Sequence, residues 1–265
     1  MIEIRPMDEG YVHIQCMHHG PIDPLLPPRP EIEWIDAPDL PPHPWSDETI
    51  VELAGTYRRI SEGWTGDPAR EFMREMMQRY GTCAMLAWEG GKVVGHLRFY
   101  PLVIAQLLAR ADPEKQHLVR GAGAMNFEVD PVTLWIQCVM TCVPYVGPEE
   151  AVMGGRPFPS MDRAGARRGR GLKLAGGLIF WAREHGWKRI VKQANADLDC
   201  MYGITGGAGK AFWEKAGFKV IGTHFEEYPN DDDWKATVES QRKAKGMSEK
   251  EAWTLYHMAC DLCQR

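Results

Sequence analysis

Between Arg163 and Lys173 the chain places Arg163, Arg167, Arg168, Arg170 and Lys173, five positive charges in eleven residues with no acid among them. The protein as a whole is acidic, with 31 Lys and Arg against 36 Asp and Glu and a formal net charge of -5, so the basic patch is local. Gly169 and Gly171 interleave with the charges, and a helical pattern follows from Leu172. Glycines let an anion approach the backbone, and the first turn of a helix offers unpaired N–H groups at the positive end of its dipole. The combination suits a pyrophosphate better than a merely solvated basic turn.

Two other phosphate motifs fail on their residues. GITGGAGKA has Ile204 where a phosphate loop needs its first glycine and Ala211 where it needs Ser or Thr, and the RRGRG turn lacks the third glycine of a dinucleotide fingerprint. Inside the helix, Gly176 and Gly177 each cost about 1 kcal/mol relative to alanine, so close packing on a sheet or close passage of a ligand should compensate them. Seven cysteines without a secretion signal fit reduced thiols. Cys260 and Cys263 form the one pair with zinc-like spacing, and Cys138 with Cys142 and Cys16 beside His18 and His19 do not complete a site, so no metal is expected.

The elements that must position the basic turn are legible on either side of it. Pro21 to Pro44 is a proline-rich arm, followed by a helix from an N-cap at Ser46 through Tyr57 and another from Pro68 to Tyr80, stopped by Gly81. TCAMLAWEGGKVVGHLRFYP reads as a hairpin over Thr82 to Tyr100. A helix through Val103 to Ala109 is the best reading of the next stretch, and TLWIQCVMTCV has the β-branched and aromatic content of a buried central strand. A loop from Tyr145 to Arg163 is too long for a mere connection. After the turn come a helix from Leu172 to His185 with Leu174, Leu178, Trp181 and Ala182 facing the core, a strand over Arg189 to Ala194, the helix GKAFWEKAGF and the strand KVIGTHFEE. A polar helical stretch from Trp234 to about Glu251 and a closing strand TLYHMACDL complete the chain.

RGRGL at Arg168 to Leu172, a helix ending at Gly186, a strand ending near Asn195 and AFWEKAGF at Ala211 to Phe218 together resemble the GNAT superfamily of N-acetyltransferases. The resemblance covers Tyr80 to Pro101 and Leu134 to Glu227 and is weak over the first 79 residues. It implies a single α/β domain over residues 1–265, with a mixed, splayed sheet of six or seven strands and helices on both faces. The arm at about 21–45 and the loop at about 145–166 are additions to it. It further implies acetyl-CoA as co-substrate, with its pyrophosphate on Arg168, Gly169, Arg170, Gly171, Leu172 and Lys173. Its pantetheine arm would lie along Thr141, Cys142 and Val143, where the central strands splay near Cys142 and Asn195. Three departures stand out: Lys173 in place of a small residue, the long preceding loop, and Trp213 where the family often has the tyrosine that protonates the leaving thiolate. Indole releases no proton at neutral pH.

The expected function is therefore transfer of an acetyl group from acetyl-CoA to an amine. Glu128 or Asp197 would be the base (Asp130 and Asp199 are near alternatives), Tyr202 the replacement acid, and Asn195 and Trp213 would line the co-substrate. A non-catalytic acyl-CoA-binding module, acting as a sensor or assembly partner, is the alternative, and a zinc or redox protein a third reading. The partner is a small-molecule or peptide amine; the acidic balance and the lack of a long apolar run argue against nucleic acid and membrane, a cytoplasmic location is expected, and a homodimer is compatible with the sequence.

Overall fold

The computed structural model describes residues 1–11, 67–111, 126–128, 130, 132–140, 169–198, 200–201, 208–225 and 232–262. The proline-rich arm, the helix after Ser46, the long loop, and residues Thr141, Cys142, Val143, Arg163, Arg167, Arg168, Asp199, Tyr202 and Cys263 lie outside the described residues.

A short strand, β1 (Glu3–Pro6), precedes helix α1 (Asp67–Tyr80) and the hairpin of β2 (Ala84–Glu89) and β3 (Lys92–Pro101). The hairpin turns on Gly90 and Gly91, both at positive φ (60° and 76°), the backbone that a two-residue turn demands. Then come α2 (Leu102–Ala111), β4 (Thr133–Met140), α3 (Arg170–Glu184), β5 (Arg189–Ala194), α4 (Lys210–Lys215), β6 (Lys219–Phe225), α5 (Asp232–Ala244), α6 (Glu249–Ala252) and β7 (Thr254–Asp261). The seven strands form one mixed sheet in the order β1-β2-β3-β4-β5-β7-β6. All neighbours are antiparallel except β4 and β5, which run parallel. No helix among the described residues is long and apolar enough to cross a membrane.

Strand alternation sorts the sheet into two faces. On one, Leu174, Ala175, Leu178, Trp181 and Ala182 of α3 pack on Met85, Leu97, Phe99, Leu134, Ile136 and Ile190, with Trp181 and Phe99 ring to ring at 5.1 Å. Burying each such large side chain stabilises the fold by roughly 1.5–3 kcal/mol. The alternate residues Leu86, Arg98, Tyr100, Trp135 and Val191 are buried as well, so the opposite face is also covered, and α2 packs there on β3 and β4. Gly177 is explained by this packing, because a Cβ on it would lie 2.4 Å from Cγ2 of Ile4 in β1. Gly176 is exposed and faces open space.

The strand β1 and its place at the sheet edge were absent from the sequence expectations. Helix α3 begins at Arg170, two residues before the expected Leu172, and the polar stretch after Trp234 divides into α5 and α6.

Candidate active site

The parallel pair that holds the centre of the sheet is short. β4 and β5 register only at Thr133↔Arg189, Leu134↔Ile190 and Trp135↔Val191, yet β4 continues to Met140 and β5 to Ala194. The strands therefore part from Ile136 and Lys192 onward, earlier along both chains than the Cys142 and Asn195 of the sequence reading. In the same stretch β4 shifts register against β3, where Arg98 pairs with Cys138 but Phe99 with Ile136, leaving Gln137 as the extra residue. Asn195, at the far end of β5, is buried; it forms a parallel bridge with Gly209, and its carbonyl accepts Lys210 N–H at 3.0 Å. That side of the opening is thus edged by the start of α4.

Lys192 sits where the strands begin to part. It is only 4% exposed, and its Nζ donates to the carbonyl oxygen of Gln137 at 3.0 Å, from β5 across to β4. A buried ammonium is costly unless it is hydrogen-bonded or faces negative charge, so this placement requires compensation that the Gln137 carbonyl begins to supply.

The basic turn enters α3 through Gly169, whose φ of 72° and ψ of 10° place it in the left-handed region. Among the described residues, no side-chain hydrogen bond caps the helix at this N-cap, and a Cβ on Gly169 would meet nothing within 4 Å. The start of α3 is thus open in the way that an oxyanion ligand requires, and its residues fit the phosphate end of acetyl-CoA. The charges are divided. Lys173 is exposed, as is Leu172 in part, whereas Arg170 is buried and its Nη2 donates to Oε2 of Glu89, at the end of β2, at 2.5 Å. Arg170 is therefore held against the hairpin, and Gly171 beside it is buried.

Of the expected acids, Asp197 has a structural duty: its Oδ1 and Oδ2 accept the Ala211 N–H at 3.0 and 3.2 Å, within the first turn of α4. Glu128 is exposed, and its charge, with that of Asp130, helps raise the pKa of Arg189, whose first cause is the hydrogen bond to Asp261. Arg189 stands at the paired beginning of β5, away from the end where the strands part. Oδ1 of Asp130 accepts the Val132 N–H at 3.0 Å, which turns the chain into β4. Trp213 is fully buried in the core, edge-on to Phe212 and Phe218 at 4.9 and 5.2 Å.

On the sheet face away from α3, a pair of histidines was missed by sequence reasoning. His224 Nδ1 and His257 Nε2 are 2.8 Å apart, and Phe127 packs on His257 with ring centroids at 5.0 Å. Burial, and then the neighbouring His224 charge, push the His257 pKa down to about 4, against a backbone hydrogen bond with Asn126 that raises it. The one signal was positional: the two residues fall in strands that pair only in the fold. Cys83, Cys138, Cys200 and Cys260 are buried free thiols, and among the described residues no group of three His, Cys, Asp or Glu could hold a metal.

No protein-family model and no curated protein matches the chain. Among solved structures it is similar to an N-acetyltransferase from Staphylococcus aureus Mu50 (15% identity, TM-score 0.39, covering 99% of each chain). It is also similar to an acetyltransferase from Salmonella typhimurium solved with acetyl-CoA (13% identity, TM-score 0.41, 100% of this chain and 96% of that one). A third is the ribosomal-protein-S18-alanine N-acetyltransferase of Escherichia coli (12% identity, TM-score 0.38, 80% of this chain and 89% of that one). TM-scores below 0.5 mark loose likenesses, and the strand order and the parting of β4 from β5 carry the fold assignment by themselves. The fold is GNAT-like.

Proposed function

We propose that the chain is an N-acyltransferase that moves an acetyl group from acetyl-CoA to an amine. The observation that carries this reading is the parting of β4 and β5, which leaves two strand segments of a buried sheet without each other as partners. An extended amide-bearing arm satisfies such groups as a strand would. Thr141, Cys142 and Val143, which follow β4 in the sequence, are the residues assigned to the pantetheine arm, with Asn195 at the opposite edge. The N–H groups of Arg168 to Leu172 take the pyrophosphate, Gly169 and Gly171 allow its approach, and Lys173 with Arg168 adds charge; Arg170 contributes mainly through its backbone.

In the reaction a neutral amine attacks the thioester carbonyl carbon, and backbone N–H groups on β4 polarise the carbonyl oxygen. The C–S bond then breaks and the sulfur keeps the electron pair. The amine proton passes to water; of the expected acids, Asp197 is engaged at α4 and Glu128 stands with Arg189 at the paired start of β5, so neither is assigned as its direct acceptor. Tyr202 is assigned as the acid from the sequence alone.

The test is calorimetry with acetyl-CoA, together with release of free CoA across a panel of small amines and peptide N-termini. Binding with amine-dependent release supports the enzyme. Trp213, which holds no transferable proton, favours the binding-module reading, and tight binding without release from any amine would establish that reading instead.

A further inference from the structure

Lys192 is a buried cation at the point where the strands part, on β5, with the equally buried Arg98 of β3 on the other side of β4, and its charge was left without a role by the sequence reading. It is the first residue of β5 beyond the last pair with β4. Ile190 and Ala194, on either side of it in the strand alternation, belong to the core cluster that contains Trp213, and so does its cross-strand neighbour Met258. Lys192 thus leaves the sheet on the Trp213 side, and its ammonium reaches the carbonyl of Gln137 on the far strand at 3.0 Å. An ammonium held in place inside the protein acts on a nearby negative charge more strongly than one in water, and without reorganisation at the moment of reaction.

We propose that Lys192 is the catalytic cation of this cleft, its ammonium stabilising the negative charge that collects on the CoA sulfur as the thioester breaks. The inference rests on the acyltransferase reading above. In that step the C–N bond forms, the C–S bond breaks with its electron pair on sulfur, and the proton lost by the amine nitrogen goes to solvent. The thiolate then departs as an anion paired with Lys192, which replaces the proton transfer assigned to Tyr202 from the sequence, and no proton donor is needed at position 213. The cation supplies by charge what an indole cannot supply by proton transfer. The same ammonium disfavours a protonated amine close by, so the acceptor must arrive neutral.

The experiment is a titration of free CoA bound to the intact protein, following thiolate absorbance, in wild type, Lys192→Met and Lys192→Arg. An opposite charge within a few ångströms lowers a pKa by ~1–3 units, so the bound thiol should titrate that far below its usual ~8.5 in wild type. The shift should vanish in Lys192→Met and persist in part in Lys192→Arg. Turnover should fall about 100-fold in Lys192→Met, while the Kd for acetyl-CoA stays within about twofold, in the range expected for one lost electrostatic contact in the transition state. A folded Lys192→Met protein with the wild-type thiol pKa and turnover would reduce Lys192 to a tie between two strands. If Lys192→Met does not fold, an unshifted thiol in wild type overturns the proposal equally. Failure of wild type to bind CoA at all would be a different result, and would remove the acyltransferase reading itself.

Discussion

Helices α3 and α4 both begin on a glycine, Gly169 and Gly209, and neither N-cap supplies a side-chain hydrogen bond. Their first turns are nevertheless completed in opposite ways. At α4 the protein brings its own anion: the Asp197 carboxylate lies on Ala211 N–H, and so close that a Cβ on Gly209 would sit 2.2 Å from Asp197 Oδ1. At α3 the glycine is left-handed and, among the described residues, a Cβ on it would touch nothing within 4 Å. Both helices obey the same electrostatics, since each has unpaired N–H groups and the positive end of a dipole. The difference teaches where a ligand fits. A helix start sealed by an internal carboxylate is structural, and one left open beside a basic run has room for a phosphate.

The comparison breaks most visibly at Gly171. Gly171→Val should weaken acetyl-CoA binding by roughly 100-fold, about 2.8 kcal/mol, the worth of one or two charge-assisted hydrogen bonds. Calorimetry on the folded variant measures it, and an unchanged Kd would show that the open helix start is not the phosphate site. Next in size, Asp197→Ala should cost about 1–2 kcal/mol through loss of the α4 cap, lowering Tm by roughly 2–4 °C for each kcal/mol. Thermal melts with and without acetyl-CoA sharpen the contrast, because the ligand-induced rise in Tm should survive this change but not Gly171→Val.

Two further effects, of opposite sign, are expected inside α3. Gly177→Ala should destabilise by about 1–3 kcal/mol, because Ile4 is β-branched and stiff and leaves no room for the new methyl. Gly176→Ala, one residue away in open space, should stabilise by about 0.4–1 kcal/mol. If Gly176→Ala instead lowers acetyl-CoA affinity, a ligand passes over that glycine and the basic turn extends further along the helix than proposed.

Much of the frame was legible because it rests on local chemistry. The Glu89-Gly90-Gly91-Lys92 turn, the β-branched run of β4 and the apolar stripe of α3 each announce their element within a few residues. Other features needed partners distant in sequence. β1 spans four residues at a sheet edge, too few for alternation to register against an irregular start. Arg170 reads as a phosphate ligand until Glu89, far back in the chain, is brought against it. Asp197 reads as a candidate catalytic base because its helix begins thirteen residues later, beyond the reach of any local capping pattern. Lys192 is the sharpest case. In RIVKQA a lysine reads as the solvent side of a strand, but Lys192 lies on the face of β5 that carries Ile190 and Ala194 and is buried there.

The seam between β4 and β5 also bears on how the molecule holds together as a mechanical object. One leaf is β1 to β4 and the other β5, β7 and β6, and among the described residues three register positions and the Lys188 N–H to Val132 carbonyl bond join them along the backbone. Side chains of the core cluster cross the seam, from Leu134 and Ile136 to Ile190 and Met258, so the leaves are held by packing more than by a hydrogen-bonded ladder. Packing is less directional than a ladder, and it lets the leaves change their angle without breaking backbone bonds. The wedge between them can therefore accept an inserted chain with little rearrangement of either leaf. Whatever is bound there works as a splint, slowing amide exchange along Ile136 to Met140 and Lys192 to Ala194 together, although the two segments belong to different leaves.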